Sequence, residues 1–513
     1  MVLNDLITTG SKLFPKKPIL VYEKEIFTCQ KLESEINQLA AGLLELDVKF
    51  GDRVALLLHN RPEFLIIYFA ILRLGAIPVP LNYLWKEEEL SFVVSDSVAK
   101  ILFTETSLLK TGLNLRNLIP TLGKVILVNH NTTPPEFVLA YRGLFRPEQK
   151  KPLPITAGSD VAVLIYTSGT TGFPKGVMLT HDNLLANVES CRKAIPLSSK
   201  DRFLCILPLF HSFAFTACVL IPLALGSTIF IVSKNTSFRS LIAEIIRRRI
   251  TVFIGIPDFY QIFGEIRIPL ATKIMLRLSN PIRLAISGAA PLSPKTLAAF
   301  ENRFHIPLLE GYGLTEASPV VTLNPPKKRR VGSVGLPLPD VELKIVSENG
   351  EELPVGQVGE FAVRGKNVMA GYYNRLEDTR EVIKNGWLLT GDLGKKDEEG
   401  YFFIVDRKKE MIDCRGLNIY PREVEAILYR HPDVKEAAVV GAITSTGEIP
   451  VAFIVLKEGK ETKPKEILDF LRRYLATYKL PRRIIFKTDL PHTAAGKISK
   501  RELKGCQTIK GMN

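Results

Sequence analysis

Short runs of apolar residues alternate with helical patterns over the first 320 residues of the chain. Pro62–Leu74 carries apolar residues at helical spacing and begins with proline, which favours the first turn of a helix. The apolar runs are typical of buried strands, and they are Arg53–Leu58, Ala76–Pro80, Lys124–Val128, Thr228–Val232, Thr251–Ile256 and Arg283–Ser287. Strands that alternate with helices predict parallel sheets covered by helices on both faces.

The pattern changes after about Asn324. Short runs such as VELKIV, GEFAVRG and GYFFIVDR are separated by glycine turns, which predicts a small antiparallel barrel or sheet. A third pattern begins near Arg407, where a helix opened by Pro421 is followed by two strands and a second helix. Because 513 residues exceed what one core organises, we expect two domains, at residues 1–406 and 407–513.

One apolar segment, Phe203–Val232, is about as long as a membrane-spanning helix. Pro208 and Pro222 interrupt it, His211 lies inside it, and Gly226 breaks its end. These residues disfavour a continuous helix. We therefore predict two buried elements joined by a loop.

Composition narrows the class of protein. Hydrophobic residues make up 46% of the chain and charged residues 24%, which is ordinary for a soluble globular protein. The six cysteines form neither a CxxC pair nor a Cys/His spacing typical of metal sites, which suits a reducing compartment. The first residues lack the basic and apolar regions of a secretory signal. We therefore expect a cytoplasmic protein.

The net charge of +15 is unevenly placed. Residues 407–513 contain 22 Lys and Arg against 13 Asp and Glu, a net charge of +9. This excess is either a solvated basic surface or a means of attracting a polyanion, such as CoA, an acidic carrier protein or an anionic membrane surface. No nucleic-acid-binding motif accompanies the charge, so we expect no nucleic-acid partner.

The run YTSGTTGFPKG at Tyr166–Gly176 follows an apolar run, so a strand leads directly into a loop of small and hydroxyl residues. Glycine allows close backbone approaches that other residues prevent. Hydroxyl groups, backbone amides and one lysine can together surround a polyphosphate, although the spacing differs from that of a Walker A loop. The predicted phosphate-binding residues are Thr167, Ser168, Gly169, Thr170, Thr171, Gly172 and Lys175.

This run resembles the signature of the acyl-adenylate-forming, AMP-binding superfamily, which includes acyl-CoA synthetases, luciferases and the adenylation domains of peptide synthetases. Further motifs of that superfamily follow in its order, and they are LPLFHSF at Leu207–Phe213, SGAAPL at Ser287–Leu292, GYGLTEASP at Gly311–Pro319, TGDLG at Thr390–Gly394, DRKKEMIDCRGLNIYPREVE at Asp406–Glu425 and PHTAAGKI at Pro491–Ile498. The resemblance covers nearly the whole chain. It implies an α/β fold with two parallel-sheet subdomains and a small antiparallel β-barrel in the large domain, and a smaller, mobile α+β domain.

The resemblance implies an ATP and Mg²⁺ site. Tyr312 would stack on adenine, Thr315 would bind the α-phosphate, and Glu316 would hold Mg²⁺. Asp392 would accept the ribose hydroxyls beside the guanidinium of Arg407. The remaining residues implied at the nucleotide are Gly288, Ala289, Ala290 and Gly311, and Ser168 is implied as a second metal contact.

The resemblance also implies a second half-reaction with CoA. Lys497 would bridge the acyl carboxylate and the α-phosphate, and His211 would act as a gate beside the carboxylate. Lys409 matches the hinge about which the small domain rotates. Gly416 matches a glycine that faces the pantetheine tunnel, although many relatives carry two glycines where this chain has Arg415 before Gly416.

The acid is predicted from the residues between the nucleotide motifs. They are rich in apolar side chains, and none obviously recognises an amino group. Together with the SPVVTLNPP and GSVGLPLPDVELKIV segments, which most resemble fatty acyl-CoA synthetases, this favours a fatty acid–CoA ligase for medium or long acyl chains. The alternatives are an acyl–acyl-carrier-protein synthetase and, more distantly, a non-catalytic basic binding protein with a degenerate adenylation fold. The sequence does not predict the oligomeric state.

Overall fold

This computed structural model describes residues 1–129, 137–147, 154–167, 174–233, 236–265, 281–414, 417–444, 447–492 and 498–505. The chain divides into two compact units. The first comprises Met1–Leu343 with Val363–Leu388, and the second comprises Lys344–Ala362 with Leu389–Asn513. The predicted domain boundary between residues 406 and 407, with a hinge near Lys409, stays a prediction.

The largest sheet of the first unit has nine strands, which in spatial order are Leu336–Pro337, Val320–Leu323, Leu308–Gly313, Leu284–Ser287, Val252–Gly255, Arg202–Cys205, Thr228–Ile231, Pro18–Tyr22 and Glu25–Thr28. The six strands from Leu308–Gly313 to Pro18–Tyr22 are parallel, and the outer pairs are antiparallel. In the central strand Val252–Gly255 all four residues are buried, as expected of a parallel sheet covered on both faces.

A second sheet of the first unit is entirely parallel. Its five strands in spatial order are Ile77–Pro80, Arg53–Leu57, Ile101–Glu105, Lys124–Val128 and Val138–Ala140. The helix Pro62–Arg73 connects the first two strands along the chain and is apolar on all sides, with Phe64, Tyr68 and Phe69 almost fully buried. A helix of this composition belongs in a core rather than at a surface.

Several helices of the first unit begin at recognisable capping residues. Thr180 accepts a hydrogen bond from the backbone amide of Asn183, and Ser293 does the same for Thr296 ahead of Pro294. Besides Pro62–Arg73, the helices are Asn4–Leu13, Cys29–Glu45, Glu87–Asp96, Leu109–Leu118, His181–Ala194, Ser212–Phe215, Ile221–Leu225, Phe238–Arg247, Pro257–Glu265, Pro294–Phe304 and Leu376–Val382.

A three-stranded antiparallel sheet positions the predicted phosphate loop. Its strands in spatial order are Gly371–Tyr372, Lys175–Thr180 and Val161–Thr167. Thr167 and Lys175 are paired across the two longer strands, so the two ends of the connection between them lie side by side. The connecting residues 168–173 lie outside the described residues.

The small β structure predicted after Asn324 is a five-stranded sheet. Its strands are Val341–Val346, Gly359–Gly365, Ile383–Lys384, Trp387–Lys396 and Phe402–Arg407. Within the first unit, Ile383–Lys384 pairs antiparallel with residues 387–388. Within the second unit, Phe402–Arg407 pairs antiparallel with residues 392–396.

The rest of the second unit is α+β. Val434–Thr444, Gly447–Leu456 and Arg483–Phe486 form one sheet, and Ile412–Cys414 pairs with Leu417–Ile419. The helices Pro421–Leu428 and Pro464–Arg472 bury one face each, through Val424 and Leu428 and through Ile467 and Leu471. A short helix, Lys500–Gly505, follows. The α/β fold class expected from the sequence is confirmed.

The prediction that Phe203–Val232 forms two buried elements joined by a loop was wrong about the connection, because a helical stretch lies between the two strands. The segment contains a strand, a helical stretch from Ser212 to Leu225 with a π-helical turn at Thr216–Leu220, and a second strand. Pro222 is tolerated because it lies at the start of the last helical piece, where its missing amide costs little. Within the described part of the chain, no helix is long and apolar enough to cross a membrane.

Candidate active site

Lys175 lies at the end of the hairpin that carries the glycine- and threonine-rich loop. Its Nζ is 3.0 Å from Oδ2 of Asp378 and 5.3 Å from the centre of the Tyr372 ring. The side chain is only 14% exposed, so its charge is held in one place rather than sampling solvent. A phosphate bound by the loop would meet a fixed cation at this point.

Glu316 lies in the short 3₁₀ turn Thr315–Ala317, directly after the strand Leu308–Gly313. Its backbone carbonyl accepts a hydrogen bond from the amide of Met369, and its Oε1 accepts one from the hydroxyl of Tyr372 at 3.0 Å. Burial and the Glu316 charge raise the pKa of Tyr372, so this hydroxyl stays a donor at neutral pH. The carboxylate of Glu316 and the charge of Lys175 therefore approach the same tyrosine.

Thr315, the residue predicted to bind the α-phosphate, lies beside the LPLFHSF motif. Its Oγ1 is 3.1 Å from the hydroxyl oxygen of Ser212. The neighbouring His211 caps the helix Ser212–Phe215, and its Nδ1 accepts a hydrogen bond from the amide of Phe213 at 3.2 Å. That bond places the proton of a neutral His211 on Nε2. The hydroxyls of Ser212 and Thr315 thus lie in contact at the start of the helix that His211 caps.

Close backbone packing requires two of the predicted glycines. A Cβ at Gly311 would lie 2.9 Å from the carbonyl oxygen of Thr322, and one at Gly288 would lie 2.8 Å from the ring of Phe213. Ala289 has a φ of 67°, in the left-handed region. Tyr312 follows Gly311 in the strand Leu308–Gly313 and is 9% exposed. Its ring is therefore held in a tightly packed part of the structure.

Glu310 joins two of the motifs and was missed at the sequence level. Its Oε1 accepts the backbone amide of Leu292 at 3.0 Å, which ties the end of the SGAAPL segment to the strand that leads into Tyr312. Burial raises the pKa of Glu310 to about 7. A glutamate just before Gly311 and Tyr312 carries no sequence signal of burial. Only the fold therefore reveals that Glu310 connects the two motifs.

A cavity of about 740 Å³, counting the solvent at its mouth, opens between these segments. The lining residues with polar side chains are His211, Ser212, Ser287, Tyr312 and Thr315. Most of the others are apolar, and they include Cys191, Ile195, Leu197, Phe203, Ala217, Ile221, Val252, Ile254 and Ile286. A few polar groups in a largely apolar cavity are typical of a small-molecule site. Ala290 is not part of this lining.

Three of the predicted residues lie in the described part of the second unit. Asp392 is 4% exposed, and its Oδ1 is 3.0 Å from Nε of Arg407, its partner across the antiparallel strands. The amide of Asp392 donates to the hydroxyl of Thr390 in the preceding turn. Lys409 lies in the short turn Lys408–Glu410. The predicted pairing of Asp392 with Arg407 is therefore present.

Several predicted residues lie outside the described residues, and their assignments stay predictions. They are Ser168, Gly169, Thr170, Thr171, Gly172, Gly416 and Lys497. Conversely, Ser212 and Tyr372 contact Thr315 and Glu316 and were not predicted. The position of Ser212 beside His211 in LPLFHSF was an available signal, whereas Tyr372 is 56 positions from Glu316 and had none.

The fold and the first-unit site define an α/β enzyme with a hairpin that leads into the predicted phosphate loop, an oxygen-rich cluster around Glu316 and a largely apolar cavity. Oxygen donors of this kind are the ligands that Mg²⁺ prefers. The chain matches the AMP-binding enzyme family over residues 8–373 and the AMP-binding enzyme C-terminal domain over residues 423–497. It belongs to the AMP-binding enzyme family.

Individual relatives agree with this membership. The chain is 35% identical to a long-chain-fatty-acid–CoA ligase of Bacillus subtilis, over 98% of its own length and 94% of the relative's. An anthranilate CoA ligase in complex with anthranoyl-AMP has a TM-score of 0.89 at 28% identity, covering 99% of this chain and 97% of that one. O-succinylbenzoate coenzyme A synthetase from Bacillus subtilis, in complex with ATP and magnesium ion, has a TM-score of 0.84 at 30% identity, covering 97% and 99%. The chain is an AMP-forming acid–CoA ligase.

Proposed function

We propose that this enzyme activates fatty acids of medium or long chain with ATP and Mg²⁺ and transfers the acyl group to CoA. The observation that carries the acid assignment is the cavity. Its lining is mostly apolar, and the side chains with polar groups are His211, Ser212, Ser287, Tyr312 and Thr315. Among the described lining residues none carries a carboxylate, a lysine or an arginine, so a zwitterionic amino acid would find no partner for its ammonium group.

The family comparisons support the acid–CoA ligase chemistry and leave the acid open. The Bacillus subtilis relative is named for long-chain fatty acids, whereas the structural neighbours described above act on aromatic acids. Fatty acids are favoured because the apolar lining extends through side chains from at least six separate strands and helices. An extended hydrocarbon gains binding free energy for every methylene that it buries there, roughly 0.8 kcal/mol each.

The first half-reaction forms an acyl-adenylate. A carboxylate oxygen of the acid attacks the α-phosphorus of ATP, the bond to the β-phosphate oxygen breaks, and pyrophosphate leaves with its electron pair. Two anions must approach, so the chain's contribution is positioning and charge stabilisation. Glu316 would hold Mg²⁺, the hydroxyls of Thr315 and Ser212 would donate to phosphate or carboxylate oxygens, and Lys497 would bridge both anions.

The second half-reaction forms the thioester. The CoA sulfur attacks the acyl carbonyl carbon, the thiol proton is lost to solvent or to a nearby base, and AMP leaves with the bridging oxygen. His211 lies where the cavity meets Thr315 and would control access to that carbon. Gly416 would face the pantetheine arm.

A pyrophosphate-release screen tests the proposal. Acids of two to eighteen carbons, aromatic acids and amino acids are each supplied with ATP, Mg²⁺ and CoA. We expect the highest kcat/KM among unbranched acids of roughly eight carbons or more, because each methylene in an apolar pocket contributes to discrimination. Preference for an aromatic acid would contradict the acid assignment.

The acceptor is tested separately. The screen is repeated with acyl carrier protein in place of CoA, and we expect turnover with CoA. Turnover with carrier protein alone would replace the proposal by the carrier-protein alternative, which the net charge of +9 in residues 407–513 leaves open. If no acid gives release of pyrophosphate with either acceptor, the non-catalytic binding protein would be favoured.

A further inference from the structure

A buried ionic cluster of residues not yet assigned a role lies in the second unit. Lys500 Nζ is 2.8 Å from Oε1 of Glu425 and 3.1 Å from Oε2 of Glu410. The three side chains are 15%, 13% and 24% exposed, respectively. Charges removed from water in this way must be matched, because an unpaired buried charge is strongly destabilising.

The cluster joins three separate elements. Glu425 lies on the helix Pro421–Leu428, and its Oε1 also accepts the backbone amide of Val439 at 2.7 Å. Glu410 ends the short turn Lys408–Glu410, and Lys500 begins the helix Lys500–Gly505. One ammonium group therefore ties the start of the last helix to the turn that contains the predicted hinge residue, Lys409.

Lys500 is charged in this setting. Burial opposes its charge, but Glu425, Glu410 and Asp406 outweigh burial and raise the pKa of Lys500. Asp406 is fully buried and accepts the backbone amides of Arg407 and Arg422. Two of the carboxylates around Lys500, those of Asp406 and Glu410, thus belong to the stretch of chain that contains the turn, and the third, that of Glu425, lies on the helix Pro421–Leu428.

The residues on both sides of the segment 493–497 are also anchored. His492 and Ile498 form an antiparallel bridge, and the amide of Ser499 donates to the carbonyl of Pro491 at 2.7 Å. Leu490 and Leu503 are each 1% exposed in an apolar cluster against the sheet. Lys500 follows Ile498 by two residues, so its ion pairs fix the carboxyl-terminal flank of the segment that contains Lys497.

We propose that Lys500 is a positioning residue for adenylation: its ion pairs with Glu410 and Glu425 join the Lys497-bearing segment to the turn Lys408–Glu410 so that the two move as one body. The proposal rests on the proposed role of Lys497. A positioning role explains why these residues are charged. Stability alone does not explain it, because exchanging buried ion pairs for apolar residues is often neutral for stability.

The test compares four full-length proteins: wild type, Lys500→Met, Lys500→Arg and Lys479→Met. Lys479 is the matched control, because its Nζ forms a 2.7 Å ion pair with Glu423 on the same helix. ATP–pyrophosphate exchange with hexadecanoic acid measures adenylation. Conversion of supplied hexadecanoyl-adenylate with CoA measures the second half-reaction.

We expect Lys500→Met to lower adenylation by about 10²-fold, the size of effect that a displaced catalytic group produces, and to leave thioester formation within threefold. Lys500→Arg should recover most of the loss, and Lys479→Met should change neither rate. An equal fall in both half-reactions of Lys500→Met would overturn the proposal, as would adenylation within twofold of wild type. If Lys500→Met does not fold, Glu410→Gln replaces it, with adenylation expected to fall roughly tenfold.

Hydrogen–deuterium exchange separates failure of this proposal from failure of the proposed function. Without any substrate, Lys500→Met should speed exchange in peptides spanning residues 487–505 and 406–412 together, whereas Lys479→Met should not. Faster exchange in one region alone would contradict the coupling. If wild type activates no acid, the exchange result still decides whether the two segments are joined.

Discussion

At the scale of single residues, the candidate site depends on pairs that are distant in sequence. Glu316 accepts a hydrogen bond from Tyr372, whose ring lies beside Lys175, and Thr315 lies against Ser212. Each partner orients an oxygen that the proposed chemistry directs at phosphate or Mg²⁺. The residues therefore act as a group, and replacing one should affect the chemical step more than the fold.

Glu316→Gln tests this directly. Glutamine keeps the size of the side chain and an oxygen that accepts from Tyr372, but it removes the negative charge that would hold Mg²⁺. We expect ATP–pyrophosphate exchange to fall by about 10²–10³-fold, with the melting temperature nearly unchanged. Tyr372→Phe is the control and should lose much less activity. Exchange within twofold of wild type in Glu316→Gln would remove this residue from the catalytic group.

Glu310 gives a prediction for pH. Its folded-state pKa is raised by burial to about 7, so the folded protein keeps a proton that the unfolded chain releases near pH 4.5. The stabilisation that the raised pKa of Glu310 contributes is therefore fully present below about pH 4.5 and is lost as pH rises through 7. Urea unfolding of wild type and Glu310→Gln should show the variant gaining, relative to wild type, about 2–3 kcal/mol between pH 5 and pH 8. A difference that does not change with pH would contradict the raised pKa.

At the scale of elements, the cavity is formed where the helix His181–Ala194, the helical stretch from Ser212 to Leu225 and the strands of the nine-stranded sheet meet. Cys191 lies on the first of these helices and lines the apolar part of the cavity. Burial raises the pKa of its thiol to about 12, so it behaves as an apolar group. A change in the size of the side chain at this position should therefore change the depth of the cavity.

Cys191→Phe should shorten the acyl chain that the enzyme accepts. The larger side chain occupies the apolar part of the cavity and leaves the end near Thr315 unchanged. We expect kcat/KM for hexadecanoic acid to fall at least about tenfold relative to that for octanoic acid, with the KM for ATP unchanged. Cys191→Ala is the control and should keep the wild-type preference. An unchanged ratio in folded, active Cys191→Phe would show that the acid binds elsewhere.

Elements with strong local patterns were predicted almost to the residue. The strands Lys124–Val128 and Val341–Val346 match their apolar runs, and the helix Pro62–Arg73 ends one residue before the predicted position. The helical stretch after Ser212 was missed because Pro222 looks like a helix breaker until its place at a helix start is known. Tyr372 was missed because its partner Glu316 is 56 positions away and no local pattern encodes such a contact, whereas the motif position of Ser212 was a signal that was not used.

At the scale of the whole molecule, the predicted nucleotide residues are divided between the two compact units. Thr315 and Glu316 belong to the first unit, and Asp392, Arg407 and Lys409 belong to the second. The predicted boundary between residues 406 and 407 would instead group Asp392 with Thr315 and Glu316, and that boundary stays a prediction. We therefore treat rotation of the small domain about Lys409 as a proposal that kinetics can test.

Two reciprocal variants test the rotation. Lys409→Pro fixes φ and should slow thioester formation about tenfold while leaving pyrophosphate release intact, because only the second half-reaction requires the hinge to turn. Lys497→Ala should lose adenylation and still convert a supplied acyl-adenylate with CoA. Single-turnover measurements of each half-reaction decide the outcome, with Lys409→Ala as the control. Loss of both half-reactions in both variants would contradict the two-pose account.

Transfer of ¹⁸O from a labelled fatty acid tests the central claim most directly. Hexadecanoic acid labelled with ¹⁸O at both carboxylate oxygens is converted with ATP, Mg²⁺ and CoA. The masses of AMP and pyrophosphate are then measured by mass spectrometry. When the carboxylate attacks the α-phosphorus, one of its labelled oxygens becomes the bridge between the acyl group and AMP. That oxygen stays on AMP when the CoA sulfur displaces AMP from the acyl carbon. We expect one ¹⁸O in each AMP and none in pyrophosphate. Unlabelled AMP, or label in pyrophosphate or phosphate, would contradict an acyl-adenylate and with it the assigned function.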